Sequence, residues 1–268
     1  MAVAGGGGTS AAFFDLDKTL MEGSSAIQFA RAAFKNGMLS RRQLARDLWA
    51  NVKFRLEGST DEASAELRDR ILASVAGQRV VDLQRLTPQV LAGVLPRLYE
   101  HMLRVAWEHQ DAGRPVFIVT AASQEMAEML AHVLHFDGGI GTRSEIREGV
   151  YTGRPDGPFT YREGKAEAIR QVAAERGIDL SQSYAYSDSE SDLPMMRSVG
   201  RPVAVNPDSA LERVAREEGW QIMRFDKLAR RLRIAALSAG LGLVAGGGGY
   251  AAARSRQRSR GTLLRLPR

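Results

Sequence analysis

Ala11-Ala12-Phe13-Phe14-Asp15-Leu16-Asp17-Lys18-Thr19-Leu20 carries a four-residue apolar run straight into a carboxylate, with a second carboxylate two residues on. A short continuous apolar run is how a strand buried on both faces reads, and parallel sheets bury their strands that way. A polar group delivered where such a strand ends faces the crevice in which open parallel sheets bind ligands. Two carboxylates at i,i+2 repel each other unless a cation sits with them or one keeps its proton. A pair of aspartates capping a turn would look the same locally. The reading therefore depends on what the chain places at its other strand ends.

Beyond residue 112 the pattern alternates. Pro115 to Thr120 predicts a second strand and Ser123 to about His135 a helix. Gly138 to Thr142 predicts another strand, and residues 145–160 a flap or hairpin. Glu163 to Arg176 predicts a helix stopped by Gly177, followed by strands at Tyr184 to Ser187 and Arg201 to Val205 and a helix at Asp208 to Glu218. Strands separated by helices of this length imply an α/β fold, a Rossmann-like parallel sheet with helices on both faces. Between the first two strands the periodicity is helical. Leu44, Leu48, Val52 and Leu56 repeat every four residues, and Leu67, Ile71 and Val75 follow Ser59-Thr60-Asp61-Glu62, which has capping-box spacing. A further helix is predicted from about Pro96 to Ala112. The domain reading is a core of residues 11–20 and 96–223, a helical cap inserted at 21–95, and a basic tail at 224–268.

Composition narrows the function. The 268 residues are 44% hydrophobic and 25% charged, the profile of a globular protein large enough for one α/β domain with an insertion. There is no cysteine, which excludes a disulfide scaffold, a thiolate nucleophile and a Cys-ligated metal. The net charge of +6 is unevenly divided: residues 224–268 hold 11 Lys and Arg against Asp226 alone, and residues 1–223 hold 26 bases against 30 acids. A mildly acidic body disfavours nucleic acid as a partner. His132 and His135, at i,i+3, read as a surface pair rather than metal ligands. Gly5 to Gly8 and Gly246 to Gly249 neither follow a strand nor open a helix, so neither is a phosphate cradle. In the tail, residues 234–253 are uncharged and flanked by arginines, long enough at ~1.5 Å per residue for the ~30 Å of a bilayer core. Six glycines and seven alanines make insertion marginal. The expectation is a catalytic domain on the cytoplasmic side, membrane-associated through a weak anchor or attraction to anionic lipid.

Three further segments fall at strand ends or helix starts: Thr120 in Val-Thr-Ala-Ala-Ser, Lys165 in Glu-Gly-Lys, and Ser187-Asp188-Ser189-Glu190-Ser191-Asp192. With the Asp15–Leu20 segment they resemble, in order, the four motifs of the haloacid dehalogenase-like hydrolase superfamily, and within it the phosphoserine phosphatase-like group with a helical cap between the first two motifs. The resemblance spans about residues 11–223 and implies a Mg²⁺-dependent phosphatase. Asp15 would be the nucleophile that forms an aspartyl-phosphate, and Asp17 the general acid and then base. Thr120 and Lys165 would hold the phosphoryl oxygens. Asp15 and Asp188 would bind Mg²⁺ with the backbone carbonyl of Asp17, and Asp192 would support the metal or orient Lys165. Two departures weaken phosphoserine itself as the substrate: Ser24 stands where the family's phosphoserine phosphatases carry a glutamate nine residues after the nucleophile, and Ala121 follows the second-motif hydroxyl where they often have glycine. The expected substrate is a small-molecule or lipid-type phosphomonoester. A phosphotransferase using the same intermediate, or a non-catalytic regulatory protein on the same fold, remains the alternative.

Overall fold

The computed structural model describes residues 9–38 and 61–225. The chain divides after Met223, and the unit before that division is the one described. The quoted stretch forms β1 (Ala12–Asp15), and every residue of it is buried. The helices α1 (Ser25–Lys35), α2 (Asp61–Val75), α3 (Val80–Gln84), α4 (Thr87–Val94) and α5 (Glu100–Asp111) precede β2 (Val116–Ser123). Then come α6 (Gln124–Val133), β3 (Gly138–Thr142), β4 (Ser144–Arg147) and β5 (Val150–Pro155). The remainder is α7 (Glu163–Arg176), β6 (Tyr184–Ser187), α8 (Leu193–Arg197), β7 (Arg201–Val205), α9 (Ser209–Glu217) and β8 (Gln221–Met223).

Six strands form one sheet in the order β3-β2-β1-β6-β7-β8, and each neighbouring pair is parallel. The strand order reverses at β1, which lies between β2 and β6, so the crevice of such a sheet opens above the carboxyl end of β1. Register aligns the motifs there. Asp15 lies opposite Val119, one residue before Thr120, and Phe14 lies opposite Tyr186, one residue before Ser187. Both sheet faces are covered. On one, Phe13 stacks on Phe117 at 5.4 Å, and Ile169, Ala173, Met195 and Met196 pack over them. On the other, Phe14 stacks on Tyr186 at 4.3 Å beside the buried His109. Burying each of these aromatic rings is worth about 1.5–3 kcal/mol, and this holds the carboxyl end of β1 fixed.

Strands β3, β6 and β7 and helix α7 run as the sequence predicts, and Gly177 ends α7 in the left-handed region at φ +66°. The flap predicted at 145–160 is the antiparallel hairpin β4–β5, which begins one residue earlier, at Ser144. It is tied to the loop after α2, since Gly77 N–H donates to the Tyr151 carbonyl (2.8 Å) and Tyr151 N–H to that of Gln78 (3.0 Å). Other boundaries differ. The helix predicted from Pro96 begins at Glu100, because Leu95–Arg97 is a 3-10 turn and the chain beyond it is held extended. Leu98 bridges Met21, and Tyr99 N–H donates to the Leu20 carbonyl at 2.8 Å. Strand β2 continues past Thr120 to Ser123, with its register to β3 broken between Val119 and Ser123. The short helices α3, α4 and α8 and the edge strand β8 are too brief for periodicity to reveal. The Leu44-to-Leu56 repeat and residues 59–60 of the capping box lie outside the described residues, as does the 234–253 segment on which membrane association rests. Among the described residues no helix is long and apolar enough to cross a membrane. His132 is exposed on α6, and His135 is exposed just beyond it at φ +56°.

Candidate active site

Leaving β1, the chain folds back at once: the N–H groups of Leu20 and Met21 both donate to the Leu16 carbonyl, at 3.1 and 3.0 Å. This loop presents Asp17 to the start of α1. Asp17 accepts from the Ser25 backbone N–H at 2.8 Å and from the Ser24 hydroxyl at 3.1 Å. Unpaired amides at a helix start favour a carboxylate there. Ser24 therefore has a role in this chain that a substrate-binding glutamate could not fill, namely orienting Asp17. Lys18, at φ +65°, reaches Asp188 with its ammonium at 3.4 Å.

Lys165 lies in the first turn of α7, is 3% exposed, and bridges two carboxylates. Its Nζ donates to Asp15 Oδ1 at 2.5 Å and to Asp192 Oδ2 at 2.8 Å. The Ser187 hydroxyl also donates to Asp192 Oδ2, at 2.7 Å. The preceding Gly164 makes this approach feasible, because a Cβ there would lie 1.8 Å from the Phe159 carbonyl oxygen. Thr120 is buried at the end of the regularly paired part of β2, its hydroxyl accepting from the Ala122 N–H at 3.2 Å.

Charge in this site is not balanced by protein alone. Burial pushes Asp15 up to about 8, opposed by Lys165 and reinforced by Asp192 and Asp188. Burial likewise pushes Asp188 up to about 6, against the pull of Lys18. Burial works against the charge of Lys165, but its two carboxylate partners outweigh that and hold it well above the ordinary lysine value. Asp15 and Asp192 share the buried Lys165 ammonium and Asp188 has only the half-exposed Lys18, and the excess negative charge suits a hard cation. Among the described residues no three acidic or histidine side chains converge as a metal cage. Two carboxylates and a backbone carbonyl fit an ion that keeps several of its waters, as Mg²⁺ does.

Asp15, Asp17, Thr120, Lys165, Asp188 and Asp192 all line one cavity of about 920 Å³. The structure thus brings together all six residues picked out in the sequence. Lys18 and Ser24 line the cavity too, and Ser187 is bonded to Asp192. Lys18 and Ser187 sit inside the quoted motifs, and nothing local in the sequence marks their partners.

A model of the family described as haloacid dehalogenase-like hydrolase matches residues 12–197. The phosphoserine phosphatase SerB1 of Mycobacterium tuberculosis is 38% identical over 256 residues, 94% of this chain and 82% of that protein. A histidinol-phosphatase of Neisseria meningitidis is 30% identical over 223 residues, 80% of this chain and 98% of that one. A solved Bordetella pertussis structure described as a protein with unknown function superposes with a TM-score of 0.70 at 31% identity, covering 81% of this chain and 99% of its own.

Proposed function

The chain belongs to the haloacid dehalogenase-like hydrolase family and is a phosphatase of it, and on that premise we propose that it is a Mg²⁺-dependent phosphomonoester hydrolase working through an aspartyl-phosphate on Asp15. The observation that carries the reading is the Lys165 ammonium clamped between Asp15 (2.5 Å) and Asp192 (2.8 Å) on the wall of the cavity. Asp15 Oδ attacks phosphorus, and the bond from phosphorus to the ester oxygen breaks. The Asp17 carboxyl gives its proton to the departing oxygen. Water then attacks the phosphoryl group, Asp17 takes a proton from it, and inorganic phosphate leaves with the Asp15 carboxylate restored. Lys165 and Thr120 hold the phosphoryl oxygens as negative charge redistributes over them. Asp192 and Ser187 keep the Lys165 ammonium aimed at Asp15. Asp15, Asp188 and the Asp17 carbonyl would hold Mg²⁺, which when bound supplies charge neutralisation for the dianionic substrate.

The described helices α1 and α4 act as the lid and contribute Phe29, Val90 and Leu91 to the cavity wall. Enclosure of this kind limits access of bulk water and selects the leaving group. Turnover of p-nitrophenyl phosphate with and without Mg²⁺ tests the activity, and hydroxylamine-sensitive labelling from a ³²P-phosphoester tests the intermediate. Asp15→Asn should lose both, with activity down at least ~10³-fold. Retained labelling in that variant would refute the assignment.

A further inference from the structure

Strands β6 and β7 are neighbours in register, with Ser187 opposite Ala204, so the loops that follow them leave the sheet side by side. The first loop carries Asp188 and Asp192 to the cavity wall. Asp208, at the end of the second, is exposed and is not among the residues that line the cavity. It nevertheless binds the first loop twice. Its N–H donates to the Asp188 carbonyl at 2.8 Å. Its Oδ2 accepts from the Glu190 N–H at 3.0 Å, at the first position of the 3-10 turn Glu190–Asp192. Its Oδ1 accepts from the N–H groups of Ala210 and Leu211, at 3.1 and 2.8 Å, and so caps α9. Capping a helix uses one side-chain oxygen. The second oxygen of Asp208 goes to the loop that carries Asp188. Within that loop the hydroxyls of Ser187 and Ser189 accept from the N–H groups of Ser189 and Ser191, which shapes the loop without tying its backbone to another segment. Asp208 ties it to α9, whose Leu211 and Ala215 pack with Ala204 of β7.

Resting on the phosphatase reading above, we propose that Asp208 is a positioning residue for Asp188: from outside the cavity it fixes the backbone at Asp188 and at Glu190, and so keeps the Asp188 carboxylate where it, Asp15 and the Asp17 carbonyl would hold Mg²⁺. Asp188 is buried, and its carboxylate is paired only with the half-exposed Lys18 at 3.4 Å, a long contact that leaves its aim to the backbone. Partners that orient a metal-binding carboxylate contribute to affinity without touching the metal. The Glu190 bond joins positions 18 residues apart, so it exists only when β6 and β7 are paired.

The test titrates the full chain with Mg²⁺ and reads the midpoint in two ways, by the rise in melting temperature and by turnover of p-nitrophenyl phosphate. Asp208→Asn separates the two roles of the side chain. Asparagine caps a helix as well as aspartate does, so its oxygen stays with Ala210 and Leu211, and its amide then meets the Glu190 N–H donor to donor. Both midpoints should rise about tenfold, the lower end of what losing such a partner costs a metal site. In chelator this variant should melt closer to the wild type than Asp208→Ala, which loses the cap as well. Glu190→Pro deletes the N–H at a position where a helical turn accepts proline, and should raise the midpoints to the same extent. Asp208→Asn should then add nothing further in the Glu190→Pro background. Glu190→Gln removes a nearby charge but keeps the bond, and should leave the midpoints within about twofold of wild type, since salt screens an exposed charge. Midpoints unmoved by Asp208→Asn, additive effects of Asp208→Asn and Glu190→Pro, or an equal rise from Glu190→Gln would each overturn the positioning role and leave the phosphatase reading intact. A wild type that Mg²⁺ does not stabilise and that does not turn over p-nitrophenyl phosphate would overturn that reading, and the proposal with it.

Discussion

Lys165→Met removes the ammonium from between two buried carboxylates and keeps most of the side-chain volume. Asp15 and Asp192 then face each other with no cation between them, Asp192 retaining only the Ser187 hydroxyl at 2.7 Å. Removing one partner of a buried ion pair costs about 3–5 kcal/mol, because the charge left behind is uncompensated. For a folded unit of this size each kcal/mol moves the melting temperature by roughly 2–4 °C, so a fall of about 6–20 °C is expected. The chemical step loses a donor aimed at the phosphoryl oxygens, worth roughly 10²–10³-fold in kcat. The two effects separate in a double-mutant cycle on melting temperature. Asp192→Asn on its own leaves Lys165 with Asp15, and in combination with Lys165→Met it removes one of the stranded charges. The double variant should therefore be more stable than the sum of the single losses, by about 0.5–3 kcal/mol. Thermal unfolding and p-nitrophenyl phosphate turnover at pH 7.5 provide the readouts. Activity within threefold of wild type, or strictly additive losses, would refute the bridging role.

Metal-free protein should lose stability as pH rises. Asp15 at about 8 and Asp188 at about 6 lie above their unfolded value of 3.8, so the folded state holds protons that the unfolded chain has released, and the stability they contribute below about pH 4 disappears as pH passes through 6 and 8. Melting temperatures taken in chelator from pH 5 to 9 should fall and then recover with Mg²⁺; a flat profile in chelator would contradict this. His109 gives the opposite slope. Its Nδ1 accepts from Arg114 at 2.7 Å, so Nε2 carries the proton and donates to the Tyr186 hydroxyl at 2.8 Å. Burial and then Arg114 lower its pKa from 6.5 to about 4, so the stability it contributes is present above pH 6.5 and lost as pH falls toward 4. With Mg²⁺ present, His109→Gln should flatten that acid limb of the melting curve, and an unchanged limb would place its origin elsewhere. Gly164→Ala should shift the start of α7 away from Phe159, because the 1.8 Å approach is to backbone. A loss of at least ~2 kcal/mol in stability and a kcat reduced tenfold or more are expected, and wild-type kinetics would show that Lys165 tolerates the shift.

Sequence by itself determined the elements whose signal is local. Ala11 to Asp15 reads as a buried strand ending on an acid because a doubly covered strand has no polar face to alternate. Glu163 to Arg176 reads as a helix because Gly177 can take the left-handed φ of +66° that stops it. The same locality made Asp15, Asp17, Thr120, Lys165, Asp188 and Asp192 visible as candidates, since each stands at a strand end or helix start. Tertiary structure decided what they touch. Lys165 meets Asp15 across 150 positions of chain and Lys18 meets Asp188 across 170. Those meetings follow from β1 lying between β2 and β6, a choice set by how Phe13 packs on Phe117 and Phe14 on Tyr186 rather than by any repeat along the chain. The late start of α5 and the bonds between the hairpin and the loop after α2 share that origin. In each case the partner lies on a distant segment, and side-chain packing and backbone hydrogen bonds between segments select it, which a period of two or 3.6 residues does not encode.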